Sequence, residues 1–186
     1  MTTRKLPIAT LIAVAALFAW MPASATVLFS AVLSGSQEVP PNASTASGQA
    51  TGMLTGGPGA YVFSYEIEYS GLTAPINTAG GTGGHLHLGQ MGTNGPVVHV
   101  LDTSPFNYTG TTEGTISGQW AWDDPSNPLT DALASDLRQA RIYINIHTDA
   151  YPSGELRGQW VPAPATLALL ALPVGLMAWR RSKADC

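Results

Sequence analysis

From Arg141 to His147 the chain alternates. Ile142, Ile144 and Ile146 fall on one side, and Arg141, Tyr143, Asn145 and His147 on the other. A period of two predicts a half-buried strand with its isoleucines inward and a polar face ending in a histidine. Tyr151-Pro152-Ser153-Gly154 predicts a turn, because proline presets φ and glycine relaxes the corner. Glu155 to Trp160 then returns as a second strand, giving a β-hairpin with a histidine near its tip.

The same alternation predicts strands upstream. Thr26–Ser34 puts Val27, Phe29, Ala31 and Leu33 on one face. Gln37-Glu38-Val39-Pro40-Pro41 breaks it, since two prolines remove ladder donors. Ser47–Thr55 is a glycine-weakened strand. Ala60–Ser70 is the clearest, with Tyr61, Phe63, Tyr65, Ile67 and Tyr69 opposite Val62, Ser64, Glu66 and Glu68. His85–Leu88, Pro96–Leu101 and Glu113–Trp122 follow. Thr130–Ala140 is the helical candidate, with Thr130 as its cap and Leu129, Leu133 and Leu137 at helical spacing. About eight short strands with Gly/Pro turns predict an all-β, antiparallel β-sandwich with one short helix.

The two ends carry a different pattern. Arg4 and Lys5 precede an apolar run from Leu6 to Trp20, and Ala23-Ser24-Ala25 follows. This predicts a signal helix over residues 1–25, cut after Ala25, with Ala23 and Ala25 as the small residues of the cleavage site. Val161 to Trp179 has no charge, and Arg180, Arg181 and Lys183 follow at once. That predicts a C-terminal transmembrane helix within residues 161–186, with the basic residues left in the cytoplasm. One domain, residues 26–160, lies between.

Charge narrows the partners of that domain. Its basic residues are Arg138, Arg141 and Arg157, against eleven acids, so three minus eleven gives −8 with neutral histidines. Nucleic acid is excluded as a partner, because nothing there neutralises phosphates. Cations and basic protein surfaces remain. Cys186 is the only cysteine and lies beyond the basic cluster, so the domain has neither disulfide nor thiol chemistry.

Four separated motifs resemble a known module in order. They are Phe29 to Pro41 (FSAVLSGSQEVPP), Tyr65 to Leu72 (YEIEYSGL), His85-Leu86-His87 before Gly95-Pro96-Val97-Val98, and Asn145-Ile146-His147-Thr148 through Gly154-Glu155-Leu156-Arg157-Gly158-Gln159. The stretch resembles a CHRD domain, the module repeated in chordin and present singly in many secreted bacterial proteins. In chordin it belongs to an extracellular antagonist of growth factors. For bacterial members the resemblance implies a secreted β domain and no established activity; a non-enzymatic surface or matrix domain would bind protein, polysaccharide or cations. The tail resembles a PEP-CTERM sorting signal through Val161, Pro162, Pro164, the apolar span, Arg180 and Arg181, with Ala163 where that family carries an acid. That resemblance implies an exosortase-type processing enzyme as partner and passage through the inner membrane. It also implies delivery to the cell surface or extracellular matrix of a Gram-negative bacterium.

The histidines are the candidate chemistry. His85 and His87, two apart on one strand, leave the same face, and Leu86 and Leu88 take the other. His147 stands on the polar side of its own strand. If the two strands are neighbours, three imidazoles converge on a site suited to copper or zinc. Asp149 and Glu155 flank the turn after His147 and are candidates to orient a ligand. His99 is a fourth, weaker candidate. His-x-His on a β-strand is similar to the copper site of copper/zinc superoxide dismutases. No G-x-S-x-G, H-E-x-x-H or phosphate-loop motif occurs. Two functions stay open: a non-enzymatic surface or matrix module, and a copper- or zinc-dependent enzyme of dismutase type.

Overall fold

The computed structural model describes residues 26–76, 83–101 and 110–164. The predicted signal helix and cleavage site lie outside these residues. So do the C-terminal helix, Arg180 and Arg181. Among the described residues no helix is long and apolar enough to cross a membrane.

Nine strands form among the described residues: β1 (Val27–Ser34), β2 (Ser47–Thr55), β3 (Val62–Ser70), β4 (Gly84–Leu88), β5 (Val97–Val100), β6 (Gly114–Ala121), β7 (Ile142–Ile146), β8 (Leu156–Gln159) and β9 (Val161–Pro162). One α-helix, α1 (Asp131–Arg138), stands between β6 and β7. Its start follows the expected chemistry: the Thr130 side chain accepts from the Leu133 N–H at 3.3 Å, and Asp131 lies in the first turn. Ala134 and Leu137 are its buried face.

The strands hydrogen-bond in the order β5-β4-β7-β8-β1-β2-β3-β6, and β9 pairs with β1. All the pairings are antiparallel. The expected two-layer sandwich is therefore corrected to one continuous sheet curled nearly into a barrel. Strand β1 joins the two halves, pairing with β2 along one edge and with β8 and β9 along the other. The sheet's end strands approach through side chains: His99 of β5 stacks on Trp120 of β6 at 5.3 Å between ring centroids. Alternating burial looks the same along a strand whether the facing layer is a second sheet or the far wall of one curled sheet, so periodicity could not separate the two.

The enclosed core takes the predicted faces. Phe29, Ala31 and Leu33 of β1, and Phe63, Tyr65, Ile67 and Tyr69 of β3, are buried, while Glu66 and Glu68 are exposed. Phe63 meets Phe29 and Trp160 edge to face, at 5.4 and 5.1 Å. Gly52 makes room for this group, since a Cβ there would lie 2.5 Å from the Phe63 ring.

Strand β7 departs from its prediction. Ile142, Ile144 and Ile146 are fully buried, but so are Tyr143 and Asn145 on the side expected to be solvated. Two loops cover that side. Asn42 of the 35–46 loop donates to the Gly154 and Glu155 carbonyls at 3.1 Å. The 89–96 loop is held by Arg157 and Gln159, which donate to its carbonyls and to Asn94. The sheet also continues past Trp160: β9 places Pro162 opposite Phe29, and the Ala163 N–H donates to Leu28 at 2.7 Å.

Candidate metal centre

Strand β4 reads Gly-His-Leu-His-Leu, and its parity decides where each residue goes. Leu86 is fully buried in the barrel, and His85 and His87 leave on the opposite face, half-buried. The register puts β4 beside β7, with His85 opposite Asn145 and His87 opposite Tyr143. His147 lies just past the end of β7, where its backbone N–H donates to the Gly83 carbonyl at 2.7 Å. It keeps the parity of Asn145 and so shares the face of His85.

The structure brings His85, His87 and His147 together. One ring nitrogen from each lies within 4.8 Å of the other two. Ring centroids are 5.7 Å apart for His85–His87, 5.2 Å for His85–His147 and 6.4 Å for His87–His147. A tetrahedral ion with metal–nitrogen bonds of about 2.1 Å needs nitrogens about 3.4 Å apart. An ion would have to draw the nitrogens together by up to about 1.4 Å to reach that spacing.

Hydrogen bonding assigns the nitrogens. His87 Nδ1 is 2.9 Å from the Gly95 carbonyl, and His147 Nδ1 is 3.0 Å from the Pro152 carbonyl. A carbonyl only accepts, so both Nδ1 atoms carry the hydrogen, and in the neutral ring Nε2 keeps a lone pair. Both Nε2 atoms are buried without a partner, as is His85 Nδ1. The set is two Nε2 and one Nδ1 lone pair, each metal-competent. Carbonyl partners on the far nitrogen are the usual support of a histidine ligand.

Electrostatics keep the rings neutral. Burial pushes the His85 pKa down to about 4, with His147 and His87 adding to the shift. Burial also lowers His87, against the Gly95 bond and with help from Arg157. It lowers His147, against the Pro152 bond and with help from His87. Neutral imidazole is the ligating form.

Beneath the trio lies a stack that the sequence reading missed. The His87 ring lies on Tyr143 at 4.9 Å and 11°, and the Arg157 guanidinium lies 3.5 Å from the Tyr143 ring centroid. Tyr143 Oη accepts from the Gly95 N–H at 3.2 Å, so the residue that fixes His87 is itself fixed. Arg157 holds the loop over the stack by donating to Thr93 O at 2.6 Å and to Asn94 Oδ1 at 3.1 Å. The one signal for Tyr143 was its parity with His147, and for Arg157 its place in the last of the four motifs.

Other candidates fall elsewhere. His99 points into the barrel, 4% exposed, with Tyr65 Oη 3.3 Å from Nε2 and Asp124 3.7 Å from Nδ1. Glu155 does not orient a histidine. Its carboxylate accepts from Ser44 Oγ, Thr73 N, Thr73 Oγ1 and Thr148 Oγ1 at 2.6–2.8 Å. Burial works to raise its pKa, and these bonds outweigh burial and hold it below the ordinary range. Asp149 is exposed, and its backbone N–H goes to the Pro75 carbonyl. The orienting role proposed for the two acids belongs instead to the carbonyls of Gly95 and Pro152.

With this geometry in place the relationship to known proteins can be stated. A family model described as the CHRD domain matches residues 29–160. The chain belongs to the CHRD domain family. The match runs from β1 through Trp160, so the three histidines, Tyr143 and Arg157 all belong to the CHRD domain. No curated protein and no solved structure matches this chain.

Proposed function

We propose that this protein is an exported CHRD-domain protein of the bacterial surface or matrix whose domain binds a transition-metal ion, zinc or copper, at His85, His87 and His147. One observation carries the metal reading: three buried ring nitrogens without partners converge on one spot. An unpaired buried polar atom is costly, and an ion satisfies all three at once. The all-imidazole set suits zinc and copper and not magnesium or calcium, which take oxygen. Export and surface delivery rest on the two terminal segments, and processing by an exosortase-type enzyme rests on the likeness of the tail to a PEP-CTERM signal. Protein or polysaccharide is the further partner class for the acidic exterior.

The test is metal analysis of the purified chain. Close to one zinc or copper per wild-type chain is expected, and metal-free protein after exposure to both ions would remove the reading. Deleting residues 166–186 tests delivery: a retained protein should become freely released, and unchanged retention would mean that the tail is no address. A second reading is a dismutase-type enzyme. It is favoured by the trio's half-buried placement, since three protein ligands and an open position are the pattern of catalytic sites. Superoxide consumption by the copper-loaded chain, absent from the metal-free chain, separates it from a pure binding module.

A further inference from the structure

The histidine face of β7 holds a second buried group, Glu38, which the metal site does not use. Glu38 is 6% exposed and comes from the Gln37-Glu38-Val39-Pro40 turn. Asn145 Nδ2 approaches Glu38 Oε2 at 3.5 Å. The other two oxygens of the pair, Glu38 Oε1 and Asn145 Oδ1, are buried and have no partner. Both crowd one point: a Cβ on Gly154 would lie 2.6 Å from Oε1 and 2.5 Å from Oδ1.

We propose that Glu38 carries a proton in the folded domain, shares it with Asn145 as a two-point acid–amide pair, and releases it when a divalent cation enters the His85–His87–His147 site. The last step rests on the metal reading above. An ionised carboxylate only accepts, so with a charged Glu38 both oxygens would stay unsatisfied. One proton on Oε1 turns them into a donor and an acceptor, and Asn145 Nδ2–H to Oε2 closes the ring. Rotating the Asn145 amide does not remove the need, because its oxygen would then face Oε2 instead.

The surroundings agree. Burial raises the Glu38 pKa to about 7, against opposing contributions from Arg157 and the Asn145 bond. Arg157 makes no ion pair with Glu38: among the described residues the ion pairs are His99–Asp124 and Arg141–Asp136. Its guanidinium is committed to Thr93, Asn94 and the Tyr143 ring. The other titratable groups on the elements packed here are Tyr143 of β7, His147, Asp149, Tyr151 and Glu155 of the β7–β8 turn, and His85 and His87 of β4; the 89–96 loop has none. Gly154, at φ +130°, leaves the pair its space.

Coupling follows from position. Asn145 is the register partner of His85, so the pair stands one cross-strand step from a ligand. A divalent charge there favours the ionised carboxylate, and its proton passes to solvent.

Infrared spectroscopy of the purified chain at pH 6 tests both steps. The carbonyl absorption of a protonated carboxyl is expected in wild type, equivalent to one group per chain. It should be missing in Glu38→Gln and lost from wild type on saturation with zinc sulfate. Glu38→Gln should still hold zinc, since its amide reproduces the protonated shape. Identical bands in wild type and variant overturn the shared proton. A band that persists with zinc bound overturns the coupling. If wild type binds no zinc, the metal reading and the release step fall together, and the band still decides the proton. Carbon-13 labelling of glutamate reads the same carboxyl without a substitution: one of the five glutamates should titrate near pH 7, and its signal should be the one missing from Glu38→Gln.

Discussion

The two sides of β7 lie on one five-residue strand and are equally dry, yet they are built from opposite chemistry. Inward are Ile142, Ile144 and Ile146, which need only exclude water. Outward are Tyr143 and Asn145, with His85, His87, Glu38 and Arg157 around them, each needing a partner of defined geometry. The apolar side is held by buried area and close packing. The polar side is held by donors matched to acceptors, and its few unmatched atoms are the ones to which we assign the ion and the proton. Burial therefore does not mark the core here. The number of polar groups that need partners separates the two sides.

The largest expected effect breaks the apolar side. Ile144→Asp buries a charge without a partner and should cost about 3–5 kcal/mol, enough to prevent folding. A variant that melts like wild type would show that the isoleucine side is not the core. On the polar side the corresponding loss is of binding. His87→Ala should weaken zinc retention at least ~100-fold, beyond the ~10–100-fold usual for losing an outer partner. His99→Gln, inside the barrel, should leave retention unchanged. Equal effects in equilibrium dialysis would mean that the ion sits elsewhere.

Next in size is Glu155, the matched acid of the polar layer. Glu155→Gln loses its charge-assisted bonds to Ser44, Thr73 and Thr148 and should cost about 2 kcal/mol in urea unfolding. No shift in midpoint would show the network to be slack. The smallest effect is on pH dependence. Glu38, raised to about 7, adds stability that is full below pH 4.5 and is lost as pH rises through 7. The histidines, lowered from 6.5, add stability that is present above 6.5 and is lost as pH falls, for His85 through about 4. The two oppose between 4.5 and 6.5, so there Glu38 offsets part of what the three histidines contribute, and the wild-type melting temperature should climb only shallowly with pH. In metal-free Glu38→Gln it should climb more steeply over that window. Parallel curves would remove Glu38 from the balance.

Much of this was legible in the sequence, for local reasons. Parity placed Ile142, Ile144 and Ile146 inward and put His85 and His87 on one face. The strand Ser47–Thr55 was read to the residue. What escaped depends on contacts distant in the chain. Glu38 meets Asn145 across 107 positions, and the cover over Tyr143 comes from a loop some fifty residues away. No spacing rule reports such a partner. The curled single sheet was hidden for the same reason: its closure depends on β1 meeting both β2 and β8. Glu155 misled because a carboxylate across a turn from a histidine can still face hydroxyls instead.

Strand β9 has a mechanical consequence. Pro162 lies opposite Phe29, so the domain's two flanks leave from a single corner, side by side. Along β1 that corner is separated from Ser34, the neighbour of Arg157, by five residues, about 17 Å at the rise of a strand. His147 sits beyond that far end, opposite the start of β8. A tether on either flank would thus hang the domain like a lantern from its hook, with the imidazoles at the end turned away from the attachment.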